Sequence, residues 1–384
     1  MKDICLVIPT IRENCFNDFV KRWSDVGLFD HVDLLVVEDN PTKTFKIQNS
    51  KSNGLPCRLG HFSWKEITET LGDAEWIIPR RSDTVRSFGY LEAWSQGYKY
   101  ILTLDDDCYP CTEKDGLEYT GLQFINAHLR ALENKSRWFN TLNSVKPRGI
   151  PFYNVGKSES VIVNHGLWTN VLDYDAPYQL ANPIKEEFSF DNRIVPSGMY
   201  FPMCGMNVMW KAEYTVLMYH LLMGKRKFML PMAGNRAGFD HVDEHNLIKL
   251  PFDRFGDIWC GILMKKVADH LHLQVTTGMP YIRHERASNP FTNLKKEANG
   301  IEVNEDFWEF VDQIPLDGSD KVASQYHRLG LYIGGGTEPH NGEQVKSFID
   351  RYPKYKEHEK YFRLLGKAMM EWAVLFLREE TQEA

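Results

Sequence analysis

The sequence predicts an α/β protein: a doubly wound, mostly parallel central sheet followed by C-terminal helices. Three observations predict it. Apolar runs and amphipathic stretches alternate as β-α-β-α-β through the first ~110 residues, the pattern of strands joined by crossover helices. One of those runs, Tyr100-Ile101-Leu102-Thr103-Leu104, stops at three consecutive carboxylates, Asp105, Asp106 and Asp107. The last ~45 residues place apolar side chains at helical spacing and end in Trp372 to Phe376.

Taken in order, Ile4-Cys5-Leu6-Val7-Ile8 is a continuous apolar run, as a central strand buried on both faces requires, and Pro9 stops it. Phe16, Phe19, Val20 and Trp23 then recur at helical spacing. Val32 to Val37 reads as the next strand and runs into the turn Glu38-Asp39-Asn40-Pro41. Glu75-Trp76-Ile77-Ile78 is the expected third strand, and Phe88, Leu91, Glu92 and Trp94 mark a helix leading to the strand before the triad. Further helices are expected around Leu122, Phe124, Ile125 and Leu129, and from Asp257 to His270. Pro280 to His284 reads as a short strand, Gly334-Gly335-Gly336 as a loop, and residues 225–250 as an excursion. A catalytic domain over 1–300 and a helical extension over 301–384 packed on it account for the whole chain.

Composition narrows the function. With 43% hydrophobic and 25% charged residues the chain is that of a globular protein, and a net charge of −7 disfavours nucleic acid as an electrostatic partner. No apolar run is long enough to span a membrane and no signal-like segment follows Met1, so a cytoplasmic location is expected. Seven cysteines do not suggest a disulfide framework, and Cys108-x-x-Cys111 lacks the second pair a zinc site needs. His241-x-x-x-His245 has helical zinc spacing but carries Val242 where a zinc protease carries glutamate. No G-x-G-x-x-G follows the first strand, which disfavours flavin and NAD.

In a doubly wound sheet the ligand sits outside the carboxyl ends of the strands. Pro9, Thr10, Arg12, Asp39 and Asp105 to Asp107 all gather there. Acidic tripeptides are more commonly solvated turns. The strand before this one and Cys108-Tyr109-Pro110 after it favour a divalent metal shared with a phosphorylated ligand, because three like charges repel unless a cation offsets them.

Several blocks together resemble the reversibly glycosylated polypeptides, the family of plant UDP-arabinopyranose mutases. They are Ile8-Pro9-Thr10-Ile11-Arg12, Arg86-Ser87-Phe88-Gly89-Tyr90, Asp105-Asp106-Asp107-Cys108, Arg148-Gly149-Ile150-Pro151-Phe152 and His165-Gly166-Leu167-Trp168. Asp173-Tyr174-Asp175-Ala176-Pro177, Phe201 to Asn207 and His284 to Glu297 continue the series in the family's order. The chain departs from the family where Gly256, not a second aspartate, precedes Asp257.

The resemblance implies a GT-A-like, Rossmann-type nucleotide-sugar-binding fold, Mn²⁺ or Mg²⁺ as cofactor, and interconversion of UDP-arabinopyranose with UDP-arabinofuranose. It also implies self-glycosylation at an arginine, which falls on Arg148. On this reading Asp107 is the direct metal ligand, Asp105 lies nearer the ribose while able to join the metal, and His284 completes the shell. Arg12, Arg86 and Lys295 clamp phosphates, Asp39 meets base or ribose, and Asp106 and His165 belong to the substrate site. Asp257 or Asp173 offsets the Arg148 proton, since a guanidinium is otherwise a poor nucleophile. A UDP-sugar is the expected ligand, and association with further copies of the chain is left open. So are two other classes: a metal-dependent glycosyltransferase acting on an external acceptor, and a non-enzymatic self-glycosylated binding protein.

Overall fold

The computed structural model describes residues 1–46, 55–133, 160–171, 174–181, 190–224, 227–229, 247–285, 289–337 and 342–380. Arg148, Asp173, the His241/His245 pair and most of the 225–250 excursion lie outside the described residues. The N-terminal half opens with β1 (Ile4–Thr10), α1 (Glu13–Asp25), β2 (Asp33–Glu38), β3 (Leu59–Phe62) and α2 (Trp64–Leu71). It continues with α3 (Arg86–Ser95), β4 (Tyr100–Thr103), β5 (Cys108–Tyr109), α4 (Gly121–Leu132), β6 (Val161–Asn170) and α5 (Ala176–Ala181). Then come β7 (Arg193–Ile194), β8 (Val208–Lys211), the hairpin-like pair β9 (Lys227–Met229) and β10 (Leu247–Lys249), α6 (Gly256–His270) and β11 (Gln274–His284). The C-terminal part holds α7 (Pro290–Asp312), α8 (Val322–Gly334), β12 (Gly336–Thr337), β13 (Gln344–Val345), α9 (Phe348–Arg351) and α10 (Glu359–Glu380).

The central sheet runs β3-β2-β1-β4-β8-β6-β11-β5, with β7 paired to β11 off that path. The first four strands are parallel, and β6 and β11 point the same way as they do. β8 lies antiparallel between β4 and β6. The expected α/β architecture with a mostly parallel sheet and C-terminal helices therefore holds.

The continuous apolar strands follow from burial on both faces. Cys5, Val7, Leu35, Val37 and Ile101 face one core, shared with α3, α6 and the C-terminal helices. Ile4, Leu6, Ile8, Leu34, Val36 and Leu102 alternate onto the other, against Phe16, Phe19 and Trp23 of α1 and Phe124 of α4. Burying each such large side chain contributes about 2 kcal/mol.

Two expectations are corrected. Glu75 to Ile78 is no strand: Gly72–Ile77 forms a 3₁₀ turn, and the third strand is β3, in register with β2 from Leu34↔Leu59. A four-residue apolar run does not distinguish a strand from a buried turn. Here the turn lets Trp76 reach the last helix, its Nε1 donating to Glu371 Oε2 at 2.7 Å. Gly334 is also no loop residue, since it closes α8. A Cβ at Gly366 of α10 would lie 2.3 Å from Gly330 O and 2.5 Å from Gly334 N, so these glycines let α8 and α10 cross at close range.

α7 carries the chain through residue 300 without a break. α10 is tied to the sheet layer by Trp372, whose Nε1 donates to Val216 O at 2.9 Å. All seven cysteines are free thiols. No helix among the described residues is long and apolar enough to cross a membrane.

Candidate functional site

The carboxyl ends of the parallel strands open onto a cleft of about 890 Å³. One wall is soft and aromatic, with His165, Trp168, Met203, Cys204 and Met206, while Asp39, Arg81, Asp83, Arg86, Asp105 and Asp257 line the other side.

The acidic triad divides between three tasks because successive residues of a turning chain point in different directions. Asp105 faces the cleft and pairs with Arg86, Nη2 to Oδ1 at 2.8 Å. Arg86 opens α3 and is buried, and its Nη1 also donates to Gly205 O. Burial works against its charge, but Asp105, then Asp83 and Asp257, outweigh that and hold its pKa above the ordinary arginine value. Asp106 is buried and turned back toward β1. It accepts from Thr10 Oγ1 at 2.6 Å and from Arg12 Nε at 3.1 Å, and it pairs with Arg12 Nη2.

Asp107 stands between Arg12 Nη2 at 3.0 Å and His284 Nε2 at 3.8 Å. Burial and the neighbouring Asp105 charge raise its pKa, with His284 and Arg12 offsetting only part. A carboxylate so placed is short of positive charge.

His284 Nδ1 lies 3.0 Å from the Val171 carbonyl, which can only accept, so Nδ1 carries a proton and Nε2 faces Asp107. A gap of 3.8 Å between a carboxylate oxygen and an imidazole nitrogen suits two ligands flanking one divalent ion. The residues present fit such an ion as a partial shell. No group of three or more His, Cys, Asp or Glu among the described residues forms a complete cage.

At the β2 end of the cleft, Asp39 Oδ1 accepts from Trp64 Nε1 at 2.6 Å and from the Arg81 backbone N–H at 3.0 Å. Burial raises its pKa despite these donors. The Arg81 guanidinium lies over the Trp64 ring, 5.1 Å from its centroid. Beneath, buried Glu38 accepts from the backbone N–H groups of Thr44 and Phe45 and contacts His61 at 2.8 Å, fixing the turn that presents Asp39.

On the soft wall, Cys204 N–H donates to His165 Nε2 at 3.3 Å, so the ring proton is on Nδ1, directed to Thr277 Oγ1 at 3.2 Å. Burial lowers its pKa to about 4, and the ring is a neutral, fixed surface at pH 7. Asp257 sits in the first turn of α6, where Oδ2 accepts the Gly205 N–H at 2.9 Å. Arg254 is held by Glu297 at 3.3 Å and by Asn293 at 3.1 Å.

A family model described as reversibly glycosylated polypeptide matches residues 1–329 of the 384. The chain belongs to the reversibly glycosylated polypeptide family. Among its relatives, the probable UDP-arabinopyranose mutase 1 of Zea mays is 32% identical over 381 residues, which covers 96% of this chain and 89% of the relative. UDP-arabinopyranose mutase 1 of Oryza sativa subsp. japonica is 31% identical with the same coverage. UDP-arabinopyranose mutase 3 of Arabidopsis thaliana is 34% identical over 325 residues, 82% of this chain and 79% of its own. Among solved structures, S. aureus TarS 1-349 aligns over 100% of this chain and 92% of its own, at a TM-score of 0.34 and 11% identity.

In this reversibly glycosylated polypeptide the structure brings Asp39, Arg86, Asp105, His165 and Asp257 onto one cleft. Pro9, Thr10, Arg12, Asp106, Asp107 and His284 are not among its lining residues. Thr10, Arg12 and Asp106 form a lock between β1 and β4. Lys295 is exposed and points elsewhere on α7, and the neighbouring Lys296 lines the cleft in its place. A helix turns about 100° per residue, so adjacent lysines cannot share a face. Trp64, Arg81, Asp83, Arg254 and His220 were not anticipated. A polar run such as Arg80-Arg81-Ser82-Asp83 carries no periodic signal, and its one carboxylate stands alone.

Proposed function

We propose that the chain is a UDP-sugar mutase that interconverts UDP-arabinopyranose and UDP-arabinofuranose with a divalent metal. The observation that carries this is the charge of the cleft in a chain of this family. Seven carboxylates (Asp39, Asp83, Asp105, Asp175, Asp253, Asp257 and Glu297) line it against four cations, Arg81, Arg86, Arg254 and Lys296. A diphosphate enters such a cleft only with added positive charge.

Asp39, Trp64 and Arg81 hold the base and ribose end. Arg86 fixes Asp105 against the diphosphate, and Asp107 with His284 would hold Mn²⁺ or Mg²⁺. When bound, the ion supplies Lewis-acid stabilisation of the departing diphosphate. The neutral His165 and the aromatic and thioether wall keep water from the anomeric carbon while UDP is detached and rejoined.

Arg148 is the proposed site at which a sugar is parked, with Asp257 or Asp173 offsetting its proton. Arg148→Lys keeps the charge but loses the planar fork, and the proposal expects turnover to fall more than roughly a hundredfold. The overall reading is tested by incubating the protein with UDP-arabinopyranose and Mn²⁺ without acceptor and resolving the products by anion-exchange chromatography. UDP-arabinofuranose supports the mutase. Bare UDP means transfer or hydrolysis, and unchanged donor means a binding protein.

A further inference from the structure

Turning a pyranose into a furanose breaks the bond between C1 and O5 and forms one between C1 and O4. Whatever atom holds C1 in between, O4 gives up its hydrogen as its electron pair closes on C1. O5 takes up a proton with the electron pair of the broken bond. The exchange balances at one proton, with no oxidant or added reactant. One side chain that accepts the proton from O4 and returns it to O5 serves both halves.

Most cleft carboxylates are already committed. Asp39 holds Trp64 and the Arg81 N–H, and Asp105 is paired with Arg86. Asp257 accepts the Gly205 N–H on Oδ2 and the Ile258 N–H on Oδ1. Glu297 holds the Ala176 N–H and Arg254.

Asp83 differs. Ser82 Oγ donates to its Oδ1 at 3.2 Å, while Oδ2 faces His220 Nδ1 at 3.7 Å. Burial raises its pKa, but His220 and Arg86 outweigh that and keep it a carboxylate. Its side chain is 36% exposed, on the cleft. A Cβ on Gly256 would come within 3.2 Å of Oδ2, so the glycine leaves that oxygen accessible.

Behind Asp83 lies His220, buried at 1% exposure, with neither ring nitrogen hydrogen-bonded among the described residues. Its Nδ1 is 3.7 Å from Asp83 Oδ2, its edge meets the Tyr90 ring at 5.9 Å, and Arg86 and Asp105 are the other charges near it. A buried imidazole with no hydrogen bond demands a reason. Closing 3.7 Å to a hydrogen bond takes only a small movement of Asp83.

We propose that Asp83 carries the proton of ring contraction between O4 and O5, with His220 as the residue that positions it. The inference rests on the mutase reading. Asp83 takes the O4 proton while His220 waits at van der Waals distance. Returning the proton to O5 restores the carboxylate.

The test separates contraction from bond cleavage. UDP-arabinopyranose carrying ¹⁸O between C1 and the diphosphate scrambles its label whenever that bond breaks and re-forms, and ³¹P NMR reads the scrambling. In Asp83→Asn, contraction is expected to fall roughly a hundredfold or more while scrambling stays within about threefold of wild type. UDP affinity by calorimetry stays unchanged, which also reports that the variant is folded. Asp83→Glu regains part of the contraction rate. His220→Gln slows contraction about tenfold and shifts its pH profile without changing scrambling.

Equal loss of contraction and scrambling overturns the proposal, as does wild-type contraction in Asp83→Asn. If that variant fails to fold, the wild type decides: a solvent deuterium isotope effect on contraction but not on scrambling supports the proposal, and its absence overturns it. Wild-type protein that makes no UDP-arabinofuranose sinks the mutase reading itself, a failure distinct from that of Asp83.

Discussion

The lock beneath the first strand and the cleft above it use the same residue types to opposite ends. In the lock, Asp106 is buried and accepts from three donors, Thr10 Oγ1, Arg12 Nε and Arg12 Nη2. Beside the cleft, Asp107 lies one residue on; it has a single Arg12 contact at 3.0 Å and a histidine at 3.8 Å, against burial and a like charge from Asp105. Asp83 Oδ2 has His220 Nδ1 only at 3.7 Å, and neither ring nitrogen of His220 is hydrogen-bonded among the described residues. Satisfied carboxylates hold a fold together. Under-satisfied ones are tolerated where a ligand or ion supplies the missing charge.

Removing the proposed divalent ion probes the catalytic side of this comparison, and it has the largest expected effect. Dialysis against EDTA should reduce turnover more than roughly a hundredfold and leave the urea midpoint close to unchanged, because the lock does not depend on the ion. Full activity in EDTA breaks the distinction. A smaller effect is expected at the nucleotide end. Asp39→Ala removes the acceptor for Trp64 and Arg81 and should weaken UDP binding about tenfold by calorimetry. Unchanged affinity moves the base elsewhere.

The smallest effect is on acid stability. Burial alone would raise the pKa of Glu38, but donors from Thr44, Asn40 and Phe45 outweigh it and lower the value. Its folded pKa therefore lies below the unfolded one, near 4.3, and its contribution is present above that value and lost as pH falls through the folded pKa. Asp107 runs the other way. Its folded pKa is raised, so its contribution is full below the unfolded value, near 3.9, and is lost as pH rises through the folded pKa. Stability measured from pH 3 to 7 should then fall less steeply toward acid in Glu38→Gln than in wild type.

The parallel strands were legible because burial on both faces leaves continuous apolar runs such as Ile4 to Ile8. The triad was legible because three adjacent carboxylates cannot be ignored electrostatically. How those three divide was not, since facing is set by the turn after β4 and by donors from β1, more than 90 residues away. β3 was missed because Leu59 to Phe62 is short and contains Gly60 and His61, whereas the more apolar Trp76-Ile77-Ile78 drew the assignment. Asp83, His220 and Gly256 stand far apart in the chain and meet only through the packing of α3, α6 and the segment after β8. Lys295 and Lys296 were separable only by the phase of α7.

The division within the acidic triad is tested most directly by crossing two variants against two readouts, Asp106→Asn and Asp107→Asn against urea stability and mutase turnover. Asp106→Asn leaves Arg12 without its main partner and should cost about 3 kcal/mol of stability, while the folded fraction keeps turnover within about tenfold. Asp107→Asn should keep or slightly raise stability at pH 7 and lose turnover more than roughly a hundredfold. If instead Asp107→Asn unfolds the protein while Asp106→Asn leaves stability intact and abolishes turnover, lock and cleft have been assigned the wrong way round.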